Sequence, residues 1–216
     1  MNKEWSELNK TMQSQIGRKT EYKAGFETLH QLREILMNEL ITLKNELDRD
    51  SFNAMPYAGA DGYHSKSVAY SIWHIFRIED IVAHTLIKND EQVFFSREYQ
   101  RRINSSIITT GNELSGGDIA DFSRRLDLDE LYAYIFEVRG STEAILSQLE
   151  YTDLKKKIPP DTKERLLSLN VVSSDEKAAW LVDYWCGKDI RGLIKMPFSR
   201  HWIMHIEACQ RIRKKL

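Results

Sequence analysis

Two histidines, His201 and His205, stand four residues apart in the stretch "PFSRHWIMHIEACQRI" near the C-terminus. On a helix that spacing puts two imidazoles about one turn apart on one face, where they can bind a single ion. A catalytic zinc-type site takes three protein ligands and keeps an open position for water or substrate, whose pKa the ion lowers. The pair therefore needs a third partner. Six histidines scattered along a chain give such a pair by chance often enough that the pair alone decides nothing.

The helical wheel supplies the partner, because a helix turns about 100° per residue. In "SVAYSIWHIFRIEDIVAHTLIK" the residues Ser71, His74, Ile75, Ile78, Ile81, Val82 and Thr85 share a mostly apolar face. His74 lies near its middle. His84 falls on the opposite side with Arg77, Asp80 and Lys88 and is expected to face solvent. In the last helix Phe198, His201, His205, Ala208, Ile212 and Leu216 share the inner face, away from Arg200, Glu207 and Arg211. His74, His201 and His205 are thus the candidate metal ligands. One inward histidine is usually a hydrogen-bonded core residue, but three together would each need a buried partner if no ion were present. Imidazoles suit zinc, nickel or iron.

Other polar residues carry less. Glu79, five residues after His74, is either an acceptor for an imidazole N–H or an ion-paired or solvated carboxylate, the latter being the expectation. Cys209 borders the histidine face and is expected to pack as a small apolar residue rather than close the site. Arg33 interrupts the apolar face of its helix and is expected to snorkel to the helix-bundle end. Trp73, Trp202, Tyr70, Trp180 and Trp185 are expected to pack.

Few breakers interrupt the chain, with ten glycines and four prolines in 216 residues, and long helices follow. From Tyr22 to Leu47 apolar residues recur at helical steps. "DSFNAMPYAGADGYHSKS" (50–67) reads as a loop, with Ser65 or Ser67 capping a helix over 67–88. Residues 91–126 read as short helices and loops. Asp127, with Glu130 as in a capping box, starts a third long helix with the face Leu131, Ile135, Val138, Ile145 and Leu149. A short helix over 175–186 ends at Gly187, and a linking stretch with Pro197 leads to the last helix over about 198–214. Residues 1–20 read as a polar arm, weakly helical or frayed. The fold class is all-α: one domain over 1–216, a four-helix bundle with inserted short helices and loops.

The net charge of -1 points to neither nucleic acid nor a membrane surface, and no apolar run is long enough for a bilayer. The N-terminal residues lack the apolar core of a signal peptide. Two cysteines make no disulfide framework. A cytoplasmic protein is the expectation.

Three stretches resemble the DinB/YfiT-like family of metal-dependent enzymes: "SIWHIFRIED", "DLDELYAYIFEVRGSTEAILSQLEYTDLKKKIPP" and "HWIMHIEACQRIRKKL", and the resemblance covers about residues 22–216. The resemblance implies a four-helix bundle, a homodimer, and a divalent metal held at His74, His201 and His205. The sequence departs from the family pattern where Glu207 and Ala208 stand in place of a Gly-Gln pair, and 155–197 is longer than usual. The implied activity is a metal-dependent thiol S-transferase in stress or detoxification, with a low-molecular-weight thiol as cosubstrate and a small-molecule substrate. The alternatives are a metal-dependent small-molecule hydrolase and a non-catalytic metal-binding dimer.

Overall fold

The computed structural model describes residues 2–216. Among them every regular element is helical, and extended pairing is confined to an isolated antiparallel bridge between Lys157 and Asp189. No helix is long and apolar enough to cross a membrane.

The elements run α1 (Lys3–Gln15), α2 (Tyr22–Glu46), α3 (Arg49–Asn53) and α4 (Val68–Asp80), which continues as a π-helical segment, Ile81–Lys88. Three short helices follow, α5 (Val93–Ser96), α6 (Tyr99–Arg102) and α7 (Gly117–Arg125), then the long α8 (Leu128–Ser147). The last third holds α9 (Pro160–Ser168), α10 (Glu176–Cys186), α11 (Ile190–Lys195) and α12 (His201–Arg213). The caps follow side-chain chemistry. The Ser67 hydroxyl accepts the Tyr70 N–H, Asp127 accepts the Glu130 N–H, and Asp175 accepts the Lys177 N–H. Glu130 does not complete a capping box. Its carboxylate takes Arg102 instead, and the Asp127 N–H donates to the Ile103 carbonyl.

Helix α4 is the axis of the molecule, with every residue from Val68 to Asp80 buried. It packs against α8 and α12, and α2 closes against the same two. One apolar cluster gathers Trp73, Phe76, Trp202 and Tyr132 around the first half of α4. A second gathers Val82, Leu86, Trp185 and Phe198 around its π-helical continuation.

Three expectations need correction. The N-terminal arm, read as weakly helical or frayed, is the helix α1, packed along α2 with Trp5, Met12 and then Ile16 fully buried. Its apolar stripe is real but diluted by polar neighbours. The stretch around Pro197 is not a linker but α11 followed by a π-helical turn, Met196–Arg200, that runs directly into α12. A widened turn accommodates a residue without an N–H. Finally, the loop over 50–67 contains α3 and a single 3-10 turn, Gly62–Ser65, which packs on α12.

Candidate metal centre

His74 sits on the buried helix α4, and its neighbours decide its tautomer. Its Nδ1 is 2.6 Å from the Thr110 carbonyl. A carbonyl only accepts, so Nδ1 carries the proton and Nε2 is a bare lone pair. The loop that supplies this carbonyl is itself held. Arg77 donates through Nε and Nη2 to the Ile108 carbonyl at 3.0 and 2.8 Å. Gly111, at φ +77, brings the backbone against Trp73 and Tyr70. Tyr70 stacks on the imidazole, with ring centroids 5.5 Å apart and planes at 12°, and donates its hydroxyl to the Gly111 carbonyl at 2.8 Å.

His201 opens α12 and His205 follows one turn later, so both rings leave the same helix face. Ring centroids are 5.0 Å apart for His74 and His201, 4.8 Å for His74 and His205, and 4.6 Å for His201 and His205. Each residue offers one ring nitrogen to a cluster whose members all lie within 4.8 Å of one another. All three expectations from the helical wheel are met in space: the histidines point inward, are buried and converge.

The cluster fits a divalent ion on several counts. His201 Nε2 lies 3.2 Å from His74 Nε2, close to the edge of about 3.3 Å between two nitrogens bound tetrahedrally at zinc distances. Without an ion, the contact requires an N–H on His201 Nε2, because His74 Nε2 has none. That leaves His201 Nδ1 as a lone pair, and it is buried without a partner, as is His205 Nδ1. An orphaned buried polar atom costs about 1–3 kcal/mol, but an ion on the Nε2 atoms would leave His201 Nδ1 as it is, so the fit rests on the convergence and the spacing. The rings are also neutral. Burial, opposed by the Thr110 bond and aided by Lys66, lowers His74 to about 4. Burial and the neighbouring rings push His201 and His205 well below the usual histidine range. Neutral imidazole is the form that binds metal.

Cys209 is fully buried and outside this cluster. Burial pushes its thiol up to about 12, so it packs, as expected. The open side of the cluster faces a cleft of about 290 Å³ whose wall includes His74, His205, Tyr63 and Tyr70.

His84, expected in solvent, is buried and fully partnered, with Nδ1 2.6 Å from Asp90 and Nε2 2.8 Å from the Ser141 hydroxyl. Arg77 and Asp80 are buried beside it. Asp80 accepts the Val93 and Phe94 N–H groups and the Tyr134 hydroxyl. Arg33 does not snorkel. It is fully buried and grips Glu79 with two bonds of 2.8 and 2.9 Å, while Trp202 Nε1 donates to the same carboxylate. Burial alone would lower the Arg33 pKa, but Glu79, and then Glu143, turn the net shift upward. Glu79 is thus the ion-paired carboxylate expected, not a partner of an imidazole. Trp180 is exposed while the other named aromatics are buried.

The sequence reading missed the Thr110 carbonyl, Tyr63, Lys66 and Lys177, all of which belong to the site or its cleft. Only the glycine ending "IITTG" marked the loop, and nothing in the pattern tied it to His74. No protein-family profile matches the chain, and no curated protein matches it.

Proposed function

We propose that the chain is a metal-dependent thiol S-transferase of DinB/YfiT-like type, a four-helix bundle of α2, α4, α8 and α12 with inserted short helices. In this reading His74, His201 and His205 hold one zinc, nickel or iron ion. The observation that carries the proposal is the convergence of three neutral, buried imidazoles, two of which line the wall of an open cleft. When bound, a divalent ion would lower the pKa of a thiol or water at its open position.

The chain's own residues favour the thiol. Among the described residues no carboxylate lines the cleft, so a water nucleophile would lack the base that usually assists it. A thiol needs only to lose its proton. Its sulfur then attacks an electrophilic carbon: the S–C bond forms, the leaving group departs with its electron pair, and the thiol proton goes to solvent. Tyr70 takes no part in proton transfer. Burial holds its phenol far above the usual range and its hydroxyl is tied to Gly111, so it serves as a flat wall that keeps the His74 ring in place.

Two measurements test the reading. Elemental analysis should find a divalent metal in the wild-type protein and lose it in both His74→Ala and His201→Ala. Equal, near-zero metal in all three refutes the triad. Metal-loaded protein with glutathione, bacillithiol or a similar thiol should then conjugate monochlorobimane. Turnover of an ester panel without thiol, and no conjugation with any thiol, would replace the transferase by a hydrolase.

A further inference from the structure

The cleft before the histidines is lined by two ammonium groups that form no ion pair among the described residues. Lys66 precedes the cap of α4 and Lys177 lies in the first turn of α10, and both line the cleft. Lys10, Lys44, Lys156 and Lys163 are ion-paired, whereas most lysines are not, so what sets Lys66 and Lys177 apart is their place on the cleft wall. Lys66 and Lys177 have no ion pair among the described residues. The Lys66 ammonium makes one long contact, 3.4 Å, to the neutral Leu114 carbonyl and sits 5.2 Å over the Tyr70 ring. It is half-buried, and the charge of Lys177 reaches it, so the two ammonium groups face one space. Glu113 acts on Tyr70 of the cleft wall, and one oxygen of its carboxylate accepts the Thr109 hydroxyl.

Two like charges left without counter-ions in a narrow space repel, and the fold gains nothing from them. A ligand with negative charge gains both. The volume of about 290 Å³ lies at the small end of ligand pockets, which run from about 300 to 1,000 Å³. We infer that the cleft takes a small anionic molecule: one end lies against the histidines, and a carboxylate or phosphate is held by Lys66 and Lys177. The histidine end rests on the metal-site reading; the lysine end stands on two ammonium groups that share one cleft wall beside the histidines.

The test uses the full chain loaded with Co(II) and titrated with mercaptosuccinate, which carries two carboxylates, and with uncharged thioglycerol. Thiol-to-cobalt absorption reads binding of both. Wild-type protein should prefer mercaptosuccinate by about tenfold or more, the scale of a charge-assisted contact. The double variant Lys66→Met/Lys177→Ala, which keeps the stem of Lys66 in its half-buried place, should lose that preference and bind the two thiols alike. Equal affinities in the wild type, or an unchanged preference in the variant, would overturn the inference. A second arm needs no ion: calorimetry of succinate binding to metal-free protein. Binding by the wild type that disappears in the double variant supports the lysine site even if cobalt is not taken up, in which case only the metal reading falls. Absence of succinate binding in the wild type overturns the lysine site whatever the cobalt result.

Discussion

His74 and His84 lie on the same continuous buried helix, yet the fold treats them in opposite ways. Both nitrogens of His84 are bonded, to Asp90 and to Ser141. His74 has one nitrogen fixed on Thr110 and the other turned toward two further histidines with orphaned atoms. The same contrast holds for their surroundings. Around Glu79 and Asp80, charges are met by opposite charges and backbone donors. The two orphaned arginine atoms there, Arg33 Nε and Arg77 Nη1, each face a carboxylate at 3.6 and 3.8 Å. Around His74 nothing of the kind closes the cluster. Burial is equal in the two regions, so burial does not mark a site. The convergence of three imidazoles with no opposing charge does.

The contrast predicts that the closed region carries stability and the open one carries binding. Glu79→Ala would leave Arg33 buried without its carboxylate and Trp202 Nε1 without an acceptor. Removing one partner of a buried pair costs about 3–5 kcal/mol, to be read by urea unfolding. A loss below about 1 kcal/mol would erase the distinction.

Acid should strike the open region next. In the metal-free protein His74 is held at about 4 against an ordinary value of 6.5. The folded state therefore binds fewer protons than the unfolded one between these values. Its stabilising contribution is full above pH 6.5 and is lost as pH falls toward 4, at about 1.4 kcal/mol per unit, or roughly 3 kcal/mol for this histidine. His74→Gln should flatten the stability profile across that window. An unchanged profile would show that His74 is not held neutral.

The converging histidines His74, His201 and His205 were legible in the sequence because a helix wheel reports which residues share a side-chain direction. His84 was misread for a physical reason: the wheel assigns every helix an outside, and α4 with its π-helical continuation has almost none. Its charged residues are matched by groups outside the helix itself: Asp90, Ser141, the Ile108 carbonyl and the Val93 and Phe94 amides. Arg33 failed the same way, its partner Glu79 lying on another helix. The cleft lysines come from separate elements, and a single helix pattern cannot bring them together. The four long helices were readable from periodicity, whereas α1 was hidden because its stripe of Trp5, Met12 and Ile16 is thin within a polar segment.

Zinc should separate the two histidines on one helix. An ion at a hundred times its dissociation constant stabilises the folded state by about 2.7 kcal/mol. Thermal unfolding with and without zinc should show this gain in the wild type and in His84→Asn, once each variant is compared with its own zinc-free baseline. The gain should vanish in His74→Gln and His201→Met. A zinc gain that disappears with His84 instead would reverse the assignment of open and closed regions.

The smallest effect on stability tests the link between the two regions. Gly111 sits at φ +77, and a Cβ there would lie 2.8 Å from Trp73 Cζ3 and 3.1 Å from the Tyr70 ring. Gly111→Ala should cost about 1–3 kcal/mol through the left-handed backbone. The neighbouring Thr110 carbonyl, which fixes the His74 tautomer, must shift with it. Removing a partner that orients a metal-binding histidine typically lowers metal affinity by about 10–100-fold. Gly62 provides the control: it also has positive φ, at +60, but a Cβ there meets nothing within 4 Å. Gly62→Ala should thus cost backbone strain without moving the zinc affinity. If both alanines lowered zinc affinity equally, general loosening of the fold would explain the loss. If only Gly111→Ala did, the Thr110 carbonyl would be the part of the closed scaffold that sets the open site.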